Sequence, residues 1–130
     1  GLKRRDADPV RILATTLRAG LVDRGGEDSA VVTAARDAYA EAGVGPADLD
    51  VVEVHDAAAP AELIVSEELG IAAPGPLDPR TGIVVEGVRQ LRGECGERQV
   101  EGAEVALAEN GGGWLGAGPA AATITILGRG

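Results

Sequence analysis

Val51-Val52-Glu53-Val54-His55-Asp56-Ala57-Ala58-Ala59-Pro60-Ala61-Glu62-Leu63 is the most informative run of the chain. An apolar run rich in valine ends on the chain's one histidine, His55. Asp56 follows at once, and Pro60 suits the first turn of a helix. The pattern predicts a strand over residues 49–54, a short polar turn and a helix behind it. Such turns gather chemistry in α/β proteins, because the strand fixes the turn and the helix start leaves N–H groups free.

Upstream, residues 10–17 alternate as a first strand, expected to carry Val10, Ile12 and Ala14 on one face. A glycine- and charge-rich connection over 18–27 leads to Asp28 or Ser29 as the cap of a helix. Its apolar positions are Val31, Val32, Ala35, Ala38, Tyr39 and Ala42, the spacing of one helical face. Gly43 is its expected terminator, and Gly45-Pro46 forbids continuation. The 49–54 run is more continuously apolar than the first strand, which predicts a central position in the sheet.

Downstream, the helix opened by Pro60 runs through Leu63, Ile64 and Leu69 to Gly70. Pro74, Pro76 and Pro79 make 71–80 a loop. Thr81 is expected to start a third helix with Ile83, Val84, Val88 and Leu91 inward, ending near Gly93. Residues 105–108 read as a third strand, Asn110-Gly111-Gly112-Gly113 and Gly116-Ala117-Gly118 as a turn, and 121–127 as a fourth strand setting Thr123 and Thr125 against Ile124 and Ile126. The order β-α-β-α-α-β-β predicts an α/β fold. Its sheet is mixed, parallel at first, closed by a terminal hairpin, and has helices packed on it.

Bulk properties narrow the function. The 130 residues suit one domain, with residues 1–8 set aside as a terminal segment of tag-derived or disordered character and 9–130 taken as the fold. There is no Phe or Met, one Trp and one Tyr, so the core must be built from Val, Ile, Leu and Ala. Small side chains bury little area each, and an oligomer or partner would relieve the thin stability margin. A net charge of −9, with only Lys3-Arg4-Arg5 as a basic cluster, argues against nucleic acid. No apolar run is long enough to span a membrane, and no secretory pattern is present. With one Cys and one His there is neither an internal disulfide nor a zinc set. A cytoplasmic protein without a structural metal is expected.

Several blocks, in order, resemble the C-terminal half of the thiolase superfamily, nearest the sterol-carrier-protein-x and lipid-transfer type and its acetyl-CoA acetyltransferase relatives. They are Ala38-Tyr39-Ala40-Glu41-Ala42-Gly43-Val44-Gly45-Pro46-Ala47-Asp48-Leu49-Asp50, Val51-Val52-Glu53-Val54-His55-Asp56, Pro60-Ala61-Glu62-Leu63, Gln90-Leu91-Arg92-Gly93-Glu94, Arg98-Gln99-Val100-Glu101-Gly102-Ala103 and Ala106-Leu107-Ala108-Glu109-Asn110-Gly111-Gly112-Gly113. The resemblance implies one of two similar lobes packed around central helices. In the family the first lobe brings a nucleophilic cysteine. The second brings a Gly-His-Pro histidine and a group from the motif that begins here at His55. It also implies an acyl-CoA or acyl-carrier thioester as substrate, with no bound cofactor.

Departures from the family matter as much. His55-Asp56 fits the His-Asp-x-Phe motif, but Ala58 holds the aromatic position. Gly75-Pro76-Leu77-Asp78-Pro79-Arg80-Thr81-Gly82 lies where Gly-His-Pro-x-Gly-Ala-Thr-Gly is expected, putting Pro76 in place of the histidine. The segment before the third helix is short, and its Asn-x-Ser-Gly-Gly block is absent. Glu109 stands where many members carry a second cysteine. A simple cut of a longer enzyme would have kept the missing block.

The candidate residues follow. His55 would polarise a thioester or ketone oxygen, or else close a strand end by bonding to backbone. Asp56 would orient the imidazole or cap the helix behind it. Glu109 would act as a base, or with Asn110 merely flank a tight hairpin. Gly111, Gly112 and Gly113 form no dinucleotide fingerprint, since a strand follows, but permit close backbone approach to a cofactor-sized ligand. Cys95 lacks a histidine partner in its surroundings and reads as structural. Tyr39 reads as core and Trp114 as an interface anchor.

Three functions compete. The first is a half-subunit without self-sufficient catalysis, pairing with another thiolase-fold chain or a second copy in acyl-CoA carbon–carbon chemistry. The second is a retro-aldolase or acyltransferase subunit working with an oligonucleotide-binding-fold partner. The third is a non-enzymatic interaction module.

Overall fold

The computed structural model describes residues 9–20, 28–55, 59–72, 87–115 and 118–130, with the side chains of 59, 60, 114, 115, 118 and 119 outside the description. Seven elements follow in chain order: β1 (Val10–Ala19), α1 (Ala30–Ala42), β2 (Val51–Glu53), α2 (Ala59–Glu68), α3 (Gly87–Leu91), β3 (Val105–Leu115) and β4 (Gly118–Arg129). The β-α-β-α-α-β-β order is the expected one. The strands form one mixed sheet in the order β1-β4-β3-β2, with β1/β4 and β3/β4 antiparallel and β2/β3 parallel.

Four expectations are corrected by this topology. β1 and β2 run in the same direction but do not pair, because the β3–β4 hairpin is inserted between them. β2 is therefore an edge strand of the described sheet rather than central, and only Val51–Glu53 pair. Its unbroken apolar character has another cause, because both of its faces are covered. Val51 packs with Leu91, Ala103 and Ala106, while Val52 packs with the α1 side of the sheet.

The glycine run is not a turn. Gly111 and Gly112 lie within β3, paired with Ala122 and Ala121 of β4. Gly113 has φ +66, which a side chain would strain, and a Cβ there would sit 3.3 Å from that of Ala120. Residues 116–117 of the expected turn are outside the described residues.

β1 does not carry Val10, Ile12 and Ala14 on one face. Its register with β4 shifts between Ile12 and Ala14, so one extra residue, Leu13, is inserted. Ala14 is then buried while Ile12 is 69% exposed. Leu13 lies over Gly128, where a Cβ would come within 2.8 Å of its Cδ1.

Finally, Val88 of α3 is exposed, and Gln90 is buried together with Gly87 and Leu91. The stretch 81–86, with Ile83 and Val84, is outside the described residues, as are 1–8, 73–80 and Asp56.

α1 forms as its spacing requires. The Ser29 hydroxyl accepts the Val32 N–H at 3.1 Å, and Gly43 closes the helix at φ 70 with its N–H donated to Tyr39 O. The helix lays Ala30, Val31, Ala34, Ala35 and Ala38 onto Ala14, Leu107, Ala122, Ile124 and Ile126. With alanine at most contacts the helix approaches closely, and Thr16 of β1 donates its hydroxyl to Ala34 O at 2.8 Å. Tyr39 is half-buried core as expected, its hydroxyl donated to Leu69 O at 2.9 Å, and burial pushes its phenol up to about 12.

On the opposite face, α3 is locked by two glutamines. Gln90 donates from Nε2 to Arg98 O at 2.9 Å and accepts the Val100 N–H on Oε1 at 2.8 Å. Gln99 donates to Gln90 O at 2.8 Å and to Val100 O at 2.9 Å, and accepts the Cys95 N–H at 3.1 Å. A buried amide with both ends satisfied specifies one arrangement of the chain. Gly87 at the start of α3 stands where a Cβ would be 3.2 Å from that of Ala106, so the short helix rests directly on β3.

Candidate functional site

The site grows from the end of β2. The parallel register pairs Glu53 with Ala108, so the chain leaving β2 runs beside Glu109. Pairing stops there, and the next backbone donor is taken by a side chain: His55 N–H donates to Glu109 Oε2 at 2.9 Å. Glu53, two residues before His55, accepts the Gly87 N–H at 3.0 Å on Oε1 and so ties β2 to the start of α3.

Two of the expected residues are thus brought together. His55 is exposed at the strand end. Glu109 is only 5% exposed, beside Ile124 on the α1 side of the sheet. Its carboxyl is raised above the usual carboxylate range, first by burial and further by the charge of Glu68. The His55 N–H bond and the His55 imidazole oppose that rise.

Asn110, the next residue of β3, is exposed and pairs with Thr123, so it faces away from Glu109. Gly111, Gly112 and Gly113 continue the strand. Asp56 lies outside the described residues. Cys95 is buried, its backbone N–H bonded to Gln99, which agrees with a structural thiol. Among the described residues there is no cluster of His, Cys, Asp and Glu able to hold a metal, and no helix long and apolar enough to cross a membrane.

Glu68 lies in the last turn of α2. Burial raises its carboxyl, while a hydrogen bond with the Ser29 side chain lowers it. A signal was available, because Glu67-Glu68 are adjacent acids at a helix C-terminus, where the dipole disfavours negative charge.

Taken together, the mixed sheet, the helices and the His55 strand end define the second lobe of a thiolase, and the chain belongs to that family. The model described as "Thiolase C-terminal domain-like" matches residues 25–78 and 76–129. The chain is 35% identical over 124 residues to sterol carrier protein 2 of Rattus norvegicus, covering 72% of this chain and 22% of that protein. It is 35% identical over 115 residues to acetyl-CoA acetyltransferase of Methanothermobacter thermautotrophicus, covering 65% of this chain and 30% of the relative. The crystal structure of human mitochondrial 3-ketoacyl-CoA thiolase in complex with CoA shares the fold at a TM-score of 0.56 and 19% identity, covering 93% of this chain and 30% of the other. The chain thus spans less than a third of the length of the relatives it matches.

Proposed function

We propose that this chain is a thiolase-like half-subunit, inactive alone, that completes a site with a second thiolase-fold chain in acyl-CoA carbon–carbon bond chemistry. The observation that carries this reading is the His55–Glu109 junction. The family's histidine stands exposed at a strand end, and its backbone is held by a buried carboxylate at 2.9 Å.

An exposed imidazole on a fixed backbone suits one task in such chemistry. Its N–H donates to the thioester or ketone oxygen, where negative charge gathers as the new bond forms or breaks. Glu109 holds the strand end and carries a carboxyl of increased proton affinity. The attacking thiolate and the proton-transfer partner come from the second chain. Relatives named acetyl-CoA acetyltransferase and 3-ketoacyl-CoA thiolase support thioesters of CoA as the substrate class.

The test is turnover of acetoacetyl-CoA with free CoA by the purified chain. No thiolysis is expected from the chain alone, and activity is expected when a thiolase-fold partner carrying the nucleophilic cysteine is co-purified. His55→Ala is expected to remove that activity. Turnover by the lone chain that His55→Ala abolishes overturns the half-subunit reading, as does co-purification with an oligonucleotide-binding-fold protein alone in an active complex.

A further inference from the structure

Among the described residues, the face of the sheet opposite α1 is only partly covered. Ile12 of β1 pairs with Leu127 of β4, which packs on the cluster around Leu91, so Ile12 lies on the face that α3 occupies. α3 rests on β2, β3 and β4, at the end of the sheet where Leu127 and Ala106 stand. Beyond that end, the register carries Thr15, Thr125 and Ala108 across three strands in one row. Leu17, Thr123 and Asn110 form the next row, and Ala19, Ala121 and Gly112 the last. Every one of these positions is exposed or half-buried.

None of them is charged, in a chain of which 25% is Asp, Glu, Lys or Arg. The solvated face of an antiparallel sheet is normally polar. Here it presents two large aliphatic side chains, Ile12 at 69% exposure and Leu17 at 65%. Val88 of α3, on the same side of the sheet, is exposed as well, which leaves Ile64 as the one exposed large aliphatic of the described residues elsewhere. The hydroxyls of Thr15 and Thr125 bond to each other at 3.2 Å, so they lose water at little cost.

We infer that this face is where two copies of the chain meet, across a two-fold axis parallel to the strands. Charge selects a second copy. At a net charge of −9 two copies repel over most of their surfaces, and they approach without opposing charge only through a face free of carboxylates. That face also offers a charged partner of another kind no counter-charge to recognise. Shape agrees. β1 stands high with Ile12 and Leu17, whereas β3 is low with Ala108 and Gly112. A two-fold along the strands reverses the order β1-β4-β3, so β1 of each copy lies over β3 of the other. Each ridge then meets a shallow floor, with Leu17 over Asn110 of the other copy.

Area sets the strength of the contact. Rows about 6.8 Å apart on strands about 4.8 Å apart give roughly 300 Å² of bare face per copy. Two such faces fall short of the about 1,000 Å² of a firm interface, so the dimer is reversible and its population follows concentration. β2 and His55 lie outside the contact, and the inference does not rest on the function proposed above.

Sedimentation equilibrium of the full 130-residue chain over a wide concentration range tests this. A reversible monomer–dimer equilibrium is expected. Leu17→Asp is expected to raise the dimer dissociation constant by about 30-fold or more, the loss typical of a central contact. Asn110→Lys is expected to weaken it too, and Ile64→Asp on α2 to leave it unchanged. Mixed in equal amounts, Leu17→Asp and Asn110→Lys are expected to associate with each other better than either does alone, because the new carboxylate and ammonium meet across the axis. A chain that is monomeric at every concentration overturns the proposal, as does one that associates only with a different thiolase-fold chain. A dimer left intact by Leu17→Asp, or a mixture no tighter than its separate components, overturns it as well. If Leu17→Asp does not fold, Asn110→Lys decides in its place, and an unweakened dimer is the overturning result. Thiolysis by the lone chain would sink the proposed function and leave this association untouched.

Discussion

The backbone N–H of His55 and the side chain of Glu109 meet at 2.9 Å where the β2–β3 ladder ends. A carboxylate here does what another strand residue would otherwise do, satisfying a donor that the three-residue strand leaves over. The same bond fixes the direction in which the chain leaves the sheet, and so where the imidazole stands. Strand termination and the placement of His55 are joined in one contact.

Glu109→Leu should therefore be far worse than Glu109→Gln. The amide keeps an oxygen for His55 N–H, whereas leucine leaves that donor without a partner at a cost of about 1–3 kcal/mol. Urea unfolding of the two variants, compared at one pH, reads the difference. Equal midpoints would show that the contact contributes nothing.

Stability should fall as pH rises above the usual carboxylate range. Burial raises both Glu109 and Glu68 above the usual carboxylate range, so the folded chain binds more protons than the unfolded one in that interval. Under linkage, such groups stabilise fully below the unfolded value and lose that contribution as pH climbs through the folded one. Thermal melts of the unmutated chain and of Glu109→Gln, taken upward from pH 4.5, check the sign. The variant is expected to show the shallower decline.

Gly128→Ala should destabilise through a single clash. An added methyl would sit 2.8 Å from Leu13 Cδ1, and overpacking of this kind costs about 1–3 kcal/mol. Leu13→Ala removes the obstructing group, so the double variant is expected to lose less than the sum of the singles. Additive losses in a denaturant series would place the strain elsewhere.

Gln90→Leu should loosen α3 while leaving α1 in place. It removes the acceptor of the half-buried Val100 N–H, at about 1–3 kcal/mol for a donor left unpaired away from water. Hydrogen exchange is the suitable probe, with faster exchange expected at residues 90–100 and unchanged protection in α1. Uniform acceleration throughout the sheet would instead mean that the glutamine clip holds the whole fold.

Much of the fold was legible because local rules agreed with one another. Ser29, the 31/35/38 spacing and Gly43 each point to the same helix, and α1 begins and ends where they say. Ile124 and Ile126 alternate with Thr123 and Thr125 as a half-covered strand must, and both isoleucines are buried. Both His55 and Glu109 stand out in the sequence, and the hydrogen bond between them is seen only in the structure. The glycine run misled because glycine marks a turn only where nothing else pairs the backbone, and here β4 does.

By itself the sequence determined the elements, their order and the α1 stripe, because capping, φ preference and periodicity act over a few residues. The sheet order, the edge position of β2, the Leu13 bulge over Gly128 and the meeting of His55 with Glu109 were decided only in three dimensions. Each depends on contacts between residues far apart in the chain. Whether a strand is covered on both faces, or a carboxylate finds a backbone donor 54 residues away, is settled by packing, which no local pattern records.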